Sequence, residues 1–244
     1  MVNTTLHKIL KRHLIPSEDH IYGFANLKGL LPEKFDEYPS GISIGSRLDD
    51  TIVDSVKKGP TLEYFHHYEK INQRLQAVSE KITSDITQAG IGALAVKPTL
   101  STSIEFDQHL VDLRYDVSHK MVATRAGLGW IGKSDLFISP AFGARLRLTS
   151  ILINKEIQQE LEPVNKSKCG NCAVCVDKCP ARAATGQLWD IQTDRDLFYN
   201  AFKCREKCGE LSLLHLKVDK RICGICVAQC PVGMRRMEKV IAAY

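Results

Sequence analysis

Nine cysteines carry the strongest chemical signal in this chain, and none of them precedes Cys169. The first run is Cys169-x2-Cys172-x2-Cys175-x3-Cys179-Pro180, and the second is Cys223-x2-Cys226-x3-Cys230-Pro231, with Cys204 and Cys208 between the two. Two-residue gaps let three thiolates wrap one corner of an iron–sulfur cubane while the loop amides point at its sulfides. The three-residue gap then turns the fourth cysteine away, at the start of a helix. Pro180 suits that first helical turn, where its missing N–H costs nothing. A secreted disulfide framework would spread an even number of cysteines through a small domain, which this distribution does not do. Structural zinc also uses Cys-x2-Cys pairs, but it needs two such pairs rather than two Cys-x2-Cys-x3-Cys-Pro runs. Metal binding as iron–sulfur is the reading that the spacing favours.

The first run resembles, position for position, that of two-cluster bacterial ferredoxins. That resemblance implies two [4Fe-4S] clusters with crossed ligands. Cys169, Cys172, Cys175 and Cys230 would hold one cluster, and Cys179, Cys223, Cys226 and either Cys204 or Cys208 the other. Cys204 is preferred, because in the family that the longer stretch of this chain resembles, named below, the isolated ligand also precedes the final pair by a sizeable loop. Eight ligands from nine cysteines leave one as a small core or surface residue.

A second constellation, Gly127-Leu-Gly-Trp-Ile-Gly132-Lys133-Ser134, satisfies the expression of a phosphate-binding P-loop. A working P-loop follows a strand and opens a helix, so that helix N-terminal amides cradle the phosphate. Here residues 118–126 read as helical, and Asp135–Pro140 reads as a strand cut short by proline. The order is inverted, which argues against nucleotide binding. The three glycines favour close approach of backbone to a cofactor or a neighbouring element.

The elements that must position these groups alternate along the chain. Residues 62–89 form a long amphipathic pattern, with Leu62, Phe65, Ile71, Leu75, Val78, Ile82 and Ile86 at three- and four-residue steps. Gly90 ends it, and Ile91–Val96 reads as a short strand before Pro98. Ile42–Ile44, Leu136–Ser139 and Leu146–Ile153 read as extended, and residues 117–126 as helical. The expected fold class is α+β (α/β-like), with an N-terminal α/β domain, expected to bind a substrate or a cofactor, over residues 1–155. A two-[4Fe-4S] ferredoxin-like domain over residues 156–244 follows, joined by the polar stretch Asn154–Lys168.

Hydrophobic residues make up 44% and charged residues 25% of the 244 positions, as in ordinary globular chains. The net charge of +5 is mild and compatible with an anionic substrate or RNA. Residues 1–13 are polar and basic, and no run approaches the roughly 18 apolar residues of a membrane span. A cytoplasmic protein without a membrane partner is expected.

His119-Lys120, the block Ala126-Gly-Leu-Gly-Trp-Ile-Gly-Lys133, Phe142-Gly143 and Leu146-Arg-Leu148, followed by the cysteine runs, resemble the corrinoid-binding half and cluster module of epoxyqueuosine reductases. The likeness covers about residues 110–235, and reductive dehalogenases share the plan. It implies an oxidoreductase in which clusters reduce a bound cobalamin that in turn reduces the substrate, with a low-potential electron donor as partner. It also implies Trp130, Lys133, Phe137 and Ser139 as corrinoid contacts and an acid near the cobalt. Asp112 and His119 are the candidates for that acid. Asp112 stands one residue out of register with the family's Val-Asp-Ser-Ala-Pro-like segment and lacks its proline, and His119 stands where the family carries an acidic residue. Without the resemblance, Asp112 and Lys133 would be solvated side chains, His119 a structural helix residue, and the two aromatics core. Only 13 residues follow Pro231, whereas the tRNA-modifying enzymes continue into a helical-repeat domain. The substrate therefore stays open between a tRNA, gripped through Lys217, Lys220, Arg235, Arg236 and Lys239, and a small molecule. The alternative function is a ferredoxin-like electron-transfer protein with a partner-docking N-terminal domain.

Overall fold

A computed structural model of the chain describes residues 2–98 and 111–233. Arg235, Arg236 and Lys239 lie outside the described residues. In chain order the described elements are α1 (Val2–His13), β1 (His20–Asn26), β2 (Ser40–Arg47), α2 (Asp50–Asp54), α3 (Leu62–Gln88), β3 (Ala93–Val96) and α4 (His119–Arg125). There follow β4 (Trp130–Ile131), β5 (Phe137–Ile138), β6 (Leu146–Ile153), α5 (Val174–Asp177), α6 (Arg195–Phe198), α7 (Ala201–Leu216) and α8 (Ile225–Gln229). The chain divides into two compact units, and neither is one continuous stretch. Unit 1 takes residues 1–47, 70–128 and 147–164, and unit 2 takes 48–69, 129–146 and 165–244.

Unit 1 is built on a four-stranded sheet in the order β1-β2-β6-β3. β1 and β2 run antiparallel with Tyr22 opposite Ile44, and β3 pairs antiparallel with β6, Ala93 opposite Ile153. β2 and β6 are the interior strands and are buried along nearly their whole length. Both strands intersperse their isoleucines and leucines with small residues, Ser and Gly in β2 and Thr and Ser in β6. The stripe of α3 turns inward at Ile71, Leu75, Ile82 and Ile86, all buried. A further cluster packs Ala25, Leu27 and Leu152 of the strands and their flanks with Val117, Val122 and Ala126 at α4. Ser118 caps α4 by accepting from the Met121 N–H. Gly127 stops the helix at φ +73°, with Leu128 N–H donating to Ala123 O (3.1 Å) and Gly127 N–H to Thr124 O (3.1 Å). This is a Schellman ending, for which glycine is the favoured residue.

Unit 2 contains the two-stranded β4–β5 hairpin, Trp130 opposite Ile138 and Ile131 opposite Phe137. Its turn is closed by Gly132 N–H to Leu136 O (2.8 Å) and Asp135 N–H to Gly132 O (3.0 Å). A small core gathers Ile131, Trp189 and Phe198. Asp49 caps α2 by accepting from Ile52 N–H, and Asn200 caps α7 by accepting from Lys203 N–H. Arg145, 3% exposed, ties α2 to α8: Nη2 donates to Asp54 Oδ1 (2.7 Å) and Ala228 O (3.3 Å), and Nη1 to Asp50 O (3.1 Å).

Two features depart from the sequence expectation. Leu62, at the head of the α3 stripe, is 51% exposed, and the inward position of that first turn is taken by Tyr64. The stretch before the final cysteine pair, expected as a loop, holds the 16-residue helix α7. No helix among the described residues is long and apolar enough to cross a membrane.

Candidate cysteine centre

All nine cysteines belong to unit 2 and are free thiols. Cys230, placed after α8, lies within electrostatic reach of Cys169 and Cys175, and Cys175 within reach of Cys172. Cys226 sits among Cys223, Cys204, Cys175 and Cys179. Burial pushes the Cys175 and Cys226 thiols up and holds Cys230 at about 11, with neighbouring thiols adding to the effect. Such groups become good thiolates when a cation compensates the charge, as metal coordination does.

The structure thus places Cys230 and Cys226 near cysteines of the first run. Among the described residues, no three His, Cys, Asp or Glu side chains converge on a single ion. A cubane presents a separate iron to each thiolate, so its four donors surround a larger volume than the ligands of one zinc do. The all-sulfur donor set and the amides donating to it fit iron–sulfur ligation.

Between the two candidates for the eighth ligand, Cys204 and Cys208 stand one turn apart on α7, their sulfurs 3.9 Å apart. The single Cys208 S–H stands between Cys204 and Cys223, within hydrogen-bond reach of both sulfurs. Cys204 accepts from the Tyr199 hydroxyl and lies within electrostatic reach of both Cys223 and Cys226. Burial and the adjacent thiols push the Tyr199 phenol up, so it stays a donor.

The glycine block is drawn to the first cysteine run. Trp130 Nε1–H donates to Cys169 Sγ (3.4 Å), and Lys133 Nζ donates to Cys172 O (3.0 Å). The Ser134 hydroxyl reaches Cys175. A Cβ on Gly132 would stand 3.4 Å from Cys169 Sγ. The β-hairpin that follows, in place of a helix, removes the P-loop geometry altogether.

Trp130, Lys133, Phe137 and Ser139 are all buried, none more than 7% exposed, and the Ser139 hydroxyl accepts from Phe142 N–H (2.8 Å). In this structure they are closed in, and Trp130, Lys133 and Ser139 hydrogen-bond within unit 2. The two candidate acids belong to unit 1. The Asp112 carboxylate is exposed and accepts from Arg114 N–H (2.9 Å). His119 is half-buried, with Nδ1 2.9 Å from Ser150 Oγ and Nε2 3.0 Å from Lys97 O. Only Nε2 can donate to the carbonyl, so Nδ1 accepts from Ser150 and the neutral tautomer is satisfied. Burial, with Arg147 nearby, lowers its pKa to about 4. These are the features of an imidazole that pins α4 and β6 together.

Sequence reasoning missed Ser134, Tyr199 and the Ala144 N–H, which also donates to the Cys230 sulfur. Ser134 stands inside the glycine block and could have been marked there. A backbone donor has no sequence signature.

In architecture, the molecule is a mixed α/β protein with an antiparallel sheet and a cysteine-rich unit, a fold shared with two groups of solved redox enzymes. One is a reductive dehalogenase whose structure was used to suggest a mechanism for B12-dependent dehalogenation (TM-score 0.61, 13% identity, 90% of this chain and 32% of that one). The other is an epoxyqueuosine reductase with a tRNA-Tyr epoxyqueuosine-modified stem loop (TM-score 0.57, 15% identity, 96% of this chain and 66% of that one). No family model matches the chain. Among curated proteins, the epoxyqueuosine reductase of Lactococcus garvieae is 34% identical over 110 residues, 45% of this chain and 30% of the relative. The chain is an epoxyqueuosine reductase-like protein, and its relatives of that name are oxidoreductases. Its matched part spans about a third of the length of such relatives.

Proposed function

We propose that this chain is an iron–sulfur oxidoreductase of the epoxyqueuosine-reductase kind, carrying two [4Fe-4S] clusters in unit 2. Cys169, Cys172, Cys175 and Cys230 hold one cluster, and Cys179, Cys204, Cys223 and Cys226 the other. The observation that carries the reading is the meeting of Cys230 with Cys169 and Cys175 across more than fifty residues of sequence. Bound clusters supply single electrons taken from a low-potential donor. The chain's own part is to hold the thiolates, donate hydrogen bonds to them and restrict water around them. A corrinoid partner cofactor is supported by the B12-dependent dehalogenase among the structural neighbours. A tRNA substrate is supported by the reductase solved with a tRNA stem loop. Exposed Lys217 and Lys220 would add to its affinity as phosphate contacts.

Anaerobic reconstitution tests this directly. The expected product is brown and holds two clusters of four irons, Cys204→Ala loses one of them, and Cys208→Ala keeps both. A zinc-loaded, colourless protein, or full iron content in Cys204→Ala, refutes the ligand assignment. Added cobalamin should give a saturable spectral change. If none appears well above micromolar concentration, the electron-carrier function replaces the reductase.

A further inference from the structure

The segment 129–146 supplies a donor to every part of the first cysteine group. Trp130 Nε1–H points at Cys169 Sγ, and the Ser134 hydroxyl at Cys175. Ala144 N–H points at Cys230, and the Lys133 ammonium is fixed on the Cys172 carbonyl. Lys133 is 7% exposed, so its charge is held close to the sulfur group with little water to screen it. The second group draws its donors from other segments: Ala183 N–H to Cys179 (3.4 Å), Ile225 N–H to Cys223 and the Tyr199 hydroxyl to Cys204.

We infer that the glycine block is a potential-setting cradle for the cluster held by Cys169, Cys172, Cys175 and Cys230, with Trp130 and Lys133 as positioning residues that ease its reduction. The glycines have a task in this arrangement. A Cβ on Gly129 would stand 2.1 Å from Ile138 O, so a side chain there would force the hairpin apart, and the Gly132 Cβ position lies 3.4 Å from the Cys169 sulfur, so the block packs directly on the cysteine loop. Donors and a cation beside cluster sulfurs favour the more negative, reduced state, and a low dielectric strengthens both effects. The two clusters therefore differ in potential, and the easier one to reduce is the one lying against this block.

The inference rests on the proposed two-cluster function, and the test separates the two. Full-length wild type, Trp130→Phe, Lys133→Gln and Lys133→Arg are reconstituted anaerobically and titrated against dithionite, with each cluster followed by electron paramagnetic resonance. In Trp130→Phe and Lys133→Gln one cluster should become about tenfold harder to reduce, a fall of about 59 mV for one electron. The other cluster should keep its potential, and Lys133→Arg should behave as wild type. Selective loss of one cluster in Trp130→Phe or Lys133→Gln, with the other retained, also places the block at that cluster. If a variant loads no cluster, Ser134→Ala is titrated in its place with the same expectation. Unchanged potentials in the loaded variants, or an equal shift of both clusters, overturn the inference. Absence of any [4Fe-4S] signal from the wild type overturns the function beneath it instead.

Discussion

Gly143 is the position at which a single methyl group should do the most damage to the cysteine unit. It has φ +58°, and a Cβ built on it would lie 1.8 Å from Val232 O, two residues after Cys230. Alanine at this conformation costs about 1–2 kcal/mol from backbone sterics alone. The methyl must also move a backbone carbonyl, and overpacking of that kind adds about 1–3 kcal/mol. The displaced segment includes the paired bonds between Ser139 and Gly143 (2.9 and 2.8 Å). Gly143→Ala should therefore lose about 2–5 kcal/mol. Gly170→Ala is the internal control, since Gly170 has φ +52° and nothing within 4 Å of its Cβ position. It should lose only the conformational part, about 1–2 kcal/mol. The assay is urea denaturation of both variants beside wild type, with iron content measured on the same samples. Gly143→Ala should also lose iron, because Val232 N–H donates to the Cys230 sulfur. A Gly143→Ala variant no less stable than Gly170→Ala, with full iron, would refute the steric reasoning.

His119, neutral in the fold and lowered to about 4 by burial, takes up its proton in the unfolded chain first. Its contribution is complete above about pH 6.5 and is lost as pH falls towards 4, a change of about 1–3 kcal/mol after discounting for a half-buried ring. His119→Gln should flatten that part of the stability–pH curve relative to wild type, and parallel curves would rule the assignment out. Arg145→Met should cost about 1–3 kcal/mol, less than for a fully buried pair because Asp50 and Asp54 are partly exposed. Burial raises Asp54, but bonds from Arg145 and Lys57 outweigh it and leave the carboxyl below its ordinary range. The deficit of Arg145→Met, measured by denaturation, should be full above about pH 4 and shrink as pH falls further; a deficit independent of pH would contradict the ion-pair account.

What was legible in the sequence was what a local period encodes. The α3 stripe and β6 stand where the spacing of apolar residues puts them, and β6 spans Leu146–Ile153 as expected. α7 was not legible, because its apolar residues follow no single face: Leu213 and Leu214 are exposed while Leu216 is buried. The nearness of Cys230 to Cys169 was accessible only through resemblance, since no local rule brings them together. The bonds of Trp130 and Lys133 to the first cysteine run were not legible for the same reason. Their partners stand 39 residues away along the chain.

That distance changes what the likeness to epoxyqueuosine reductases can mean. The block Ala126–Lys133 is its most specific part, yet Gly127 serves to end α4, and Trp130 and Lys133 serve the cysteine loop. A sequence block used in this way reports how electrons are housed and says little about what they reduce. Two proteins that share a fold act on different substrates, as a dehalogenase and an epoxyqueuosine reductase among the structural neighbours illustrate. Exposed groups such as Asp112, Lys217 and Lys220 are the places at which to test for substrate contacts. Variants there should change substrate affinity and leave cluster content and potentials as they are, the reverse of what variants in the glycine block should do.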